Sequence, residues 1–215
     1  MSATPIAERV QSMRASQPAG PPSPFDREQQ ALAGTTVEGV IAPGERLPDA
    51  ELIDVNSTAT TLSRELAGRR AVLVFYRGAW CPFCNIALNA YQAELVPELG
   101  RRGVALLAVS PQKPDGSLSM REKNQLSFAV LSDPANTLAG AAGILTAPSA
   151  EARAMQLQFG LDLTEVNADG TITVPMPTTV IADGDATVRW VDVHPDYSTR
   201  SEPAAILAAL DALEG

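Results

Sequence analysis

Cysteine and histidine, which often hold metals or carry nucleophilic chemistry, are scarce in this chain. It has 2 cysteines and 1 histidine among 215 residues. A structural zinc site usually needs four Cys or His ligands. A single Cys-x-x-Cys pair and one distant histidine therefore argue against a zinc site. So few cysteines also exclude a scaffold held together by disulfides.

Long apolar runs and basic clusters are missing as well. The longest apolar stretches, residues 71–76 and 104–109, are far shorter than the roughly 20 residues that span a bilayer. Acidic residues outnumber basic ones by 25 to 16, and the net charge is -9. We therefore expect neither a nucleic-acid nor a membrane partner. Residues 1–10 lack the features of a secretory signal, so a cytoplasmic location is the default expectation.

The N-terminal part differs in composition from the rest of the chain. Residues 17–25 read QPAGPPSPF, and this proline density leaves little backbone for a helix or a central strand. Short helices over residues 4–15 and 26–33 are too short to be stable alone in water. We predict a Pro-rich, flexible N-terminal arm over residues 1–38 and one folded domain over residues 39–215.

The first half of that domain has an alternating strand and helix pattern. Residues 71–76 (AVLVFY) and 104–110 (VALLAVS) are apolar runs that predict strands covered on both faces. Between them, residues 85–99 carry apolar side chains at helical spacing. The three elements predict a right-handed parallel βαβ unit. A strand over residues 128–131 and a helix over residues 135–142 continue the pattern.

The second half favours hairpins. A helix is predicted over residues 149–159, and residues 163–174 alternate around an Asp-Gly turn, which predicts a hairpin. Residues 178–182 and 187–193 predict a second hairpin, and residues 203–213 predict a closing helix. This order predicts an α/β fold with a mixed central sheet and helices on both faces.

The two cysteines, Cys81 and Cys84, lie where the first buried strand leads into a helix. Free N–H groups at a helix N-terminus carry about half a positive charge, which favours a thiolate. The spacing lets the two sulfurs approach, so oxidation can close a small disulfide. Arg77 can add a second positive charge, or it can be a solvated loop residue. A pair of buried thiols without chemistry is the alternative.

Residues 75–84 read FYRGAWCPFC and resemble the active-site segment of thioredoxin-fold redoxins, in particular the peroxiredoxins of the alkyl hydroperoxide reductase and thiol-specific antioxidant family. AVSPQ (108–112), FAVLSDP (128–134) and PTTVIADGDATVR (177–189) resemble further segments of that family. DYSTRSEP (196–203) resembles a subgroup called peroxiredoxin-like proteins. The resemblance implies a thioredoxin-like fold and a thiol-dependent peroxidase.

Two positions depart from the family pattern. A peroxiredoxin has Thr or Ser three residues before the Cys that attacks peroxide. If that Cys is Cys84, Cys81 occupies the place of the hydroxyl. The family's peroxide-polarising arginine matches Met176, so Arg77 or Arg153 would have to substitute for it.

A third feature points towards thiol-disulfide exchange. Pro177 before Thr178 resembles the cis-proline that faces Cys-x-x-Cys in thioredoxins, and an X-Pro bond can be cis. Together with Trp80 and Arg77, these two residues form the predicted substrate-binding set. For Trp80, simple packing beside a buried strand is the alternative.

The resemblance leaves two mechanisms open. In a peroxidase, Cys84 becomes a sulfenic acid, Cys81 condenses with it, and a thioredoxin-like or low-molecular-weight thiol reduces the disulfide. In an exchange enzyme, Cys81 attacks a substrate disulfide and Cys84 resolves the product. The peroxidase is preferred because the resemblance covers several segments.

A redox-sensing module without turnover is a further alternative, and a homodimer is left open. The sequence has no nucleotide, flavin or haem fingerprint, so no cofactor is predicted and electrons are expected to arrive through thiols.

Overall fold

A seven-stranded mixed sheet forms the centre of the computed structural model, which describes residues 4–18 and 20–214. Its strand order is β2-β1-β5-β4-β3-β8-β9, and β6 and β7 form a separate two-stranded sheet. The strands are β1 (Glu51–Ile53), β2 (Ala59–Thr61), β3 (Ala71–Phe75), β4 (Ala105–Ser110), β5 (Ala129–Ser132), β6 (Leu145–Thr146), β7 (Val174–Pro175), β8 (Thr178–Ala182) and β9 (Val188–Val193). The helices are α1 (Ile6–Ala15), α2 (Pro24–Leu32), α3 (Leu62–Leu66), α4 (Pro82–Arg102), α5 (Pro114–Lys123), α6 (Thr137–Ala141), α7 (Ala150–Gln158), α8 (Leu163–Val166) and α9 (Pro203–Glu214).

The predicted βαβ unit is the centre of this sheet. Strands β3 and β4 are parallel, with Leu73 opposite Leu107, and every residue of β3 is buried. Helix α4 connects them and ends at Gly103, whose positive φ of 67° suits the left-handed position after a helix. The predicted α/β class with a mixed central sheet is confirmed.

Alternate residues of β3 point into two separate cores. Val72 and Val74, and Tyr76 directly after the strand, pack with both cysteines on one face of the sheet. Leu73 and Phe75 pack on the other face. Side chains of a strand alternate between the two faces of a sheet, and the face of Val72 and Val74 is the one on which α4 and the cysteines pack.

The hairpin predicted over residues 163–174 is wrong. The Asp162 side chain accepts a hydrogen bond from the backbone N–H of Thr164 at 3.0 Å and so starts the short helix α8. Strand β7 instead pairs with β6, which lies earlier in the chain. The hairpin predicted around residues 183–184 is confirmed, since β8 and β9 are antiparallel neighbours.

The N-terminal segment packs against the domain. Ile6 and Val10 of α1 are buried in the core that contains α4. The Glu202 carboxylate accepts hydrogen bonds from the backbone N–H groups of Ile6 and Ala7 at 2.8 and 2.9 Å, which caps α1. In this structure the domain supplies the surface and the cap that short helices need. The flexibility of residues 1–38 and the domain boundary near residue 39 stay predictions.

Helix α2 is held at its start and near its middle. Ser23 and Asp26 form a reciprocal capping box at its start. Glu28 accepts a hydrogen bond from the Tyr197 hydroxyl at 2.7 Å. Through α1 and α2, the N-terminal segment thus contacts the loop that follows β9 at two points, Tyr197 and Glu202.

In the part of the chain that the structure describes, no helix combines the length and the apolar composition needed to cross a bilayer.

Candidate active site

The cysteine pair lies at the junction of β3 and α4. Cys81 is the residue that precedes the first turn of α4, and Cys84 lies within that turn. Pro82 occupies the first helical position, where a missing N–H costs no hydrogen bond. Both thiols are free and almost fully buried, with 1% of Cys81 and 0% of Cys84 exposed. Their buried position makes their immediate neighbours decisive for their chemistry.

Several hydrogen bonds fix the loop before α4. Gln112, which follows β4, accepts a bond from the backbone N–H of Ala79 at 2.5 Å. The Asn85 side chain donates to the carbonyl oxygens of Ala79 and Cys81 at 2.8 and 2.9 Å. Gly78 has a positive φ, and a Cβ there would overlap Nε1 of Trp80 and lie 2.9 Å from the Gln112 side chain. Glycine is therefore required at this turn.

Replacing Gly78 by alanine should displace the loop that carries Trp80 and slow the reaction of the cysteine pair with oxidants. We expect the rate constant to fall about tenfold or more, because small misplacements of reacting groups are costly. Gly100→Ala is the matched control. Gly100 lies inside α4, and an added methyl group there would meet no other part of the described chain within 4 Å, so alanine should stabilise the protein by up to about 1 kcal/mol. Equal rates for both variants would contradict this assignment.

Arg200 supplies the positive charge at the cysteines. Its Nη2 donates to the Cys84 sulfur at 2.9 Å and lies 3.9 Å from the Cys81 sulfur. Its Nη1 donates to the carbonyl oxygens of Tyr197 and Thr199 at 2.7 and 2.5 Å. The side chain is buried, so water does not screen its charge effectively.

The two thiols differ in acidity. Burial opposes ionisation of Cys84, but hydrogen bonding from Cys81 and the charge of Arg200 outweigh it, and the pKa of Cys84 lies well below its usual value. The backbone N–H of Arg77 also lowers this pKa. Burial, the hydrogen bond to Cys84 and its negative charge raise the pKa of Cys81. The arrangement therefore favours ionisation at Cys84 over ionisation at Cys81.

A polar cluster holds the segment that carries Arg200. Asp192 accepts a hydrogen bond from the Ser201 hydroxyl at 2.7 Å and pairs with His194 Nε2 at 3.0 Å. The other ring nitrogen of His194 lies 2.8 Å from the Thr199 hydroxyl. Both Ser201 and His194 use the same Asp192 oxygen, so these residues are not arranged as a nucleophilic triad. They fix the residues on either side of Arg200, so His194 has a structural role in this segment.

Arg77 lies between two aromatic rings. Its Cζ is 3.8 Å from the ring centroid of Tyr197 and 5.0 Å from that of Trp80. Its guanidinium is thus held by cation-π contacts, and its Nε has no hydrogen-bond partner among the described residues. Trp80 and Arg77, both predicted as substrate-binding residues, lie beside Cys81.

The other sequence-predicted positions lie elsewhere. Thr178 pairs with Phe75 of β3, and its hydroxyl donates to the Met176 carbonyl at 2.9 Å. Pro177 accepts a hydrogen bond from the backbone N–H of His194 at 2.8 Å. Pro177 and Thr178 are buried at the sheet and do not line the cavity beside Cys81.

The resemblance of Pro177 to a cis-proline is not matched by the structure, because no peptide bond is cis in residues 4–18 and 20–214. Met176 packs in the core on the opposite side of the sheet from the cysteines. Arg153 is exposed on α7. Neither Met176 nor Arg153 therefore places a positive charge beside the cysteines, as Arg200 does.

Sequence reasoning missed Arg200 as a site residue. The residue lies in DYSTRSEP, the segment that resembles the peroxiredoxin-like subgroup, and this resemblance is the signal that points to it. Cys84 and Arg200 are 116 positions apart, so no local spacing rule connects them.

A cavity of about 550 Å³ opens onto the site between the domain and the N-terminal segment. Cys81 lines it, whereas Cys84 does not. Arg14 and Phe25 belong to its N-terminal wall, and Phe83 belongs to its other wall. Among the described residues, no group of three or more His, Cys, Asp or Glu side chains is placed to hold a metal ion.

Comparisons with known proteins indicate one family. The model of the AhpC/TSA family matches residues 43–191. Peroxiredoxin Bcp of Escherichia coli is 34% identical over 95 residues, which are 44% of this chain and 56% of that protein. A putative peroxiredoxin of Mycobacterium tuberculosis is 29% identical over 94 residues, which are 44% of this chain and 59% of that protein. The chain thus spans little more than half the length of these relatives.

Solved structures show the same fold. Peroxidoxin BcpB from Mycobacterium tuberculosis superposes with a TM-score of 0.62 at 22% identity, covering 81% of this chain and 99% of that one. Reduced Prx3 from Vibrio vulnificus in complex with H2O2 superposes with a TM-score of 0.64 at 24% identity, covering 79% and 99%. These similarities show the thioredoxin-like fold expected from the sequence.

Proposed function

The chain belongs to the AhpC/TSA family, and from that premise we propose that it is a thiol peroxidase in which Cys84 attacks hydroperoxides and Cys81 completes a disulfide. The observation that carries this proposal is the 2.9 Å contact between Arg200 Nη2 and the Cys84 sulfur, with the Cys81 thiol beside it. This contact supports a buried thiolate, which is the nucleophile that the reaction needs.

The first step oxidises Cys84. Its thiolate attacks the terminal oxygen of a hydroperoxide, an S–O bond forms, and the O–O bond breaks. The leaving alkoxide takes a proton and departs as an alcohol or water, and Cys84 becomes a sulfenic acid. Arg200 keeps its charge beside the reacting atoms throughout. Cys81 lies at the position where the family has Thr or Ser, so its S–H takes the place of that hydroxyl as a hydrogen-bond donor.

The second step closes the disulfide. The Cys81 sulfur attacks the sulfenic sulfur of Cys84, an S–S bond forms, and water leaves with the Cys81 proton. The short sequence spacing lets this happen within one chain. External thiols, either the dithiol of a thioredoxin-type protein or two molecules of a low-molecular-weight thiol, then supply two electrons to restore the pair. The cytoplasmic location and the homodimer stay predictions.

Thiol-disulfide exchange is the second candidate, because Cys81 rather than Cys84 lines the cavity. In that mechanism Cys81 is the attacking thiolate. The pKa of Cys81 is raised by burial and by its hydrogen bond to Cys84, which disfavours this role. The exchange mechanism is therefore less well supported than the peroxidase. A redox sensor would form the same disulfide without turnover.

Stopped-flow oxidation of the reduced protein tests the proposal. We expect reaction with hydrogen peroxide or an organic hydroperoxide at a rate orders of magnitude above that of free cysteine, with two thiols lost per peroxide. The reaction is followed by tryptophan fluorescence. The chain has 2 tryptophans, so the signal that remains in Trp190→Phe comes from Trp80. A rate equal to that of free cysteine would refute a peroxidase.

The pH profile of the same reaction has an expected shape. Because the pKa of Cys84 is lowered, its thiolate is already present at neutral pH. The rate constant should stay level as the pH falls from about 9 to 7, a range in which an ordinary cysteine loses most of its thiolate. The rate should decline only at lower pH, as Cys84 takes up a proton. A profile that follows an ordinary thiol would show that Arg200 does not depress this pKa.

A further inference from the structure

The cavity beside Cys81 is large for the peroxide group alone. Its volume of about 550 Å³ lies within the range of about 300 to 1,000 Å³ that is usual for sites binding small organic molecules. The N-terminal segment forms one wall and so covers Cys81 from that side. An occupant that reaches the Cys81 sulfur through this cavity must fit within its volume.

The cavity combines aromatic surface with positive charge. Arg14 and Arg77 line it, and Asp26 is the acidic residue among the lining residues that the structure describes. The Arg14 guanidinium lies over the ring of Phe83, with Cζ 5.6 Å from the ring centroid, and also bonds the Gln29 side chain. Two cations against one carboxylate favour an anionic occupant.

Unpaired polar atoms occur on the same walls. Among the described residues, Nε of Arg77, Nε1 of Trp80 and Oε1 of Gln156 are buried without a hydrogen-bond partner, and all three residues line the cavity. Buried polar atoms are normally paired. A cavity bordered by such residues favours a polar occupant over a plain alkyl chain.

We propose that this cavity binds the reductant of the cysteine pair, a low-molecular-weight thiol that carries a carboxylate. This inference rests on the proposed function, because it concerns the disulfide that the peroxidase cycle forms. It selects one of the two reductant classes that the sequence leaves open and assigns it a binding site. A protein reductant is disfavoured, since its much larger body must approach Cys81 through the N-terminal segment.

The position of each sulfur sets the direction of reduction. The thiolate of the small thiol attacks the Cys81 sulfur, which faces the cavity, and a mixed disulfide forms. The bond to Cys84 breaks, and Cys84 leaves as a thiolate stabilised by Arg200. A low pKa makes Cys84 the better leaving group.

A second molecule of the small thiol completes the reduction. Its thiolate attacks the sulfur of the bound small thiol and releases a symmetrical small-molecule disulfide. Cys81 leaves and takes up a proton. In total, two small thiols lose two electrons and the protein disulfide gains them, so the pair returns to its starting state.

Reduction of a preformed disulfide tests this site without any peroxide. The full-length protein is oxidised with diamide, freed from oxidant, and mixed with mercaptopropionate, mercaptoethanol, cysteamine or glutathione at equal thiolate concentration. The chain as a whole carries a net charge of -9, so general electrostatics favour the cationic cysteamine. We expect the reverse order, with mercaptopropionate faster than cysteamine by about tenfold. Equal rates, or faster reduction by cysteamine, would overturn the proposal.

Thioredoxin with its reductase provides the protein reductant for comparison. At equal thiolate concentration we expect it to reduce the disulfide no faster than glutathione, because Cys81 is covered. Reduction about ten times faster or more would refute a cavity built for small thiols.

Arg14 provides the matched pair of variants. Arg14→Gln should lower the rate ratio of mercaptopropionate to cysteamine about tenfold, and Arg14→Glu should lower it further. Arg27→Gln is the control, since Arg27 lies in the same segment, pairs with Glu151 and does not line the cavity. It should keep the wild-type ratio. An unchanged ratio in both Arg14 variants would remove the basis for an anionic ligand.

Failure of this inference is distinguishable from failure of the proposed function. The peroxidase fails if the reduced protein reacts with peroxide no faster than free cysteine. The reductant site fails if the diamide-formed disulfide shows no preference for anionic thiols. Each result is obtained in a separate experiment on the same protein.

Discussion

Replacing Cys84 by serine should abolish the fast reaction with hydroperoxide. Loss of an attacking nucleophile typically costs on the order of 10³-fold or more. The remaining thiol, Cys81, cannot compensate, because burial still opposes its ionisation and Arg200 Nη2 lies 3.9 Å from its sulfur, against 2.9 Å for Cys84. The stopped-flow rate with hydrogen peroxide should therefore fall to that of an unactivated thiol.

Cys81→Ser is the matched variant and should behave differently. A serine at that position restores the hydroxyl that the family pattern has there, so Cys84 should still be oxidised rapidly. Without a resolving thiol, the reaction should stop at the sulfenic acid after one turnover. Dimedone trapping followed by mass spectrometry identifies that product. If instead Cys81→Ser removes the reaction with peroxide and Cys84→Ser retains it, the roles of the two cysteines are reversed.

Replacing Arg200 by methionine should raise the pKa of Cys84 towards that of an ordinary cysteine. The desolvation that opposes the thiolate remains, whereas the neighbouring charge and the 2.9 Å hydrogen bond are lost. We expect the rate with peroxide at neutral pH to fall about 10²- to 10³-fold, the usual effect of removing a donor that stabilises developing charge. Thiolate absorbance at 240 nm, followed against pH, measures the pKa directly.

Two further variants make this result specific. Arg200→Lys keeps the charge but cannot bond the sulfur and the carbonyl oxygens of Tyr197 and Thr199 in the same way, so it should restore the rate only in part. Arg189→Met removes an exposed arginine that pairs with Asp183 and should leave the pKa of Cys84 unchanged. An unchanged thiolate pKa in folded Arg200→Met would show that Arg200 is not the activating charge.

The central part of the fold could be predicted because its signals are local. The apolar runs that form β3 and β4 and the helical spacing of α4 lie within one continuous stretch of chain. The placement of Cys81 and Cys84 at the start of α4 follows from the same stretch. Strand and helix periodicity are properties of neighbouring residues, so such patterns can be recognised without tertiary contacts.

The wrong hairpin prediction concerns a segment whose structure depends on a distant partner. The Asp-Gly sequence at residues 169–170 suggests a hairpin, but the Asp169 side chain instead accepts bonds from the backbone and hydroxyl of Thr171, and β7 pairs with β6. The packing of the N-terminal helices also depends on distant residues, since neither helix is stable alone. Glu202, nearly 200 positions away, caps α1, and Tyr197 bonds Glu28 of α2.

The sequence by itself determined the α/β class, the family resemblance and the position of a cysteine pair at a helix N-terminus. Each of these features depends on residues that lie within one continuous segment. Only the tertiary structure decided which cysteine lies closer to a buried positive charge. That choice depends on Arg200, which the chain brings to Cys84 after β9 and which hydrogen-bonds Cys84 far more closely than Cys81. A charge acts on pKa through distance in space, and in a buried site it acts strongly. The positive field of the helix N-terminus acts on both cysteines. The Arg200 guanidinium, in contrast, lies closer to Cys84 than to Cys81.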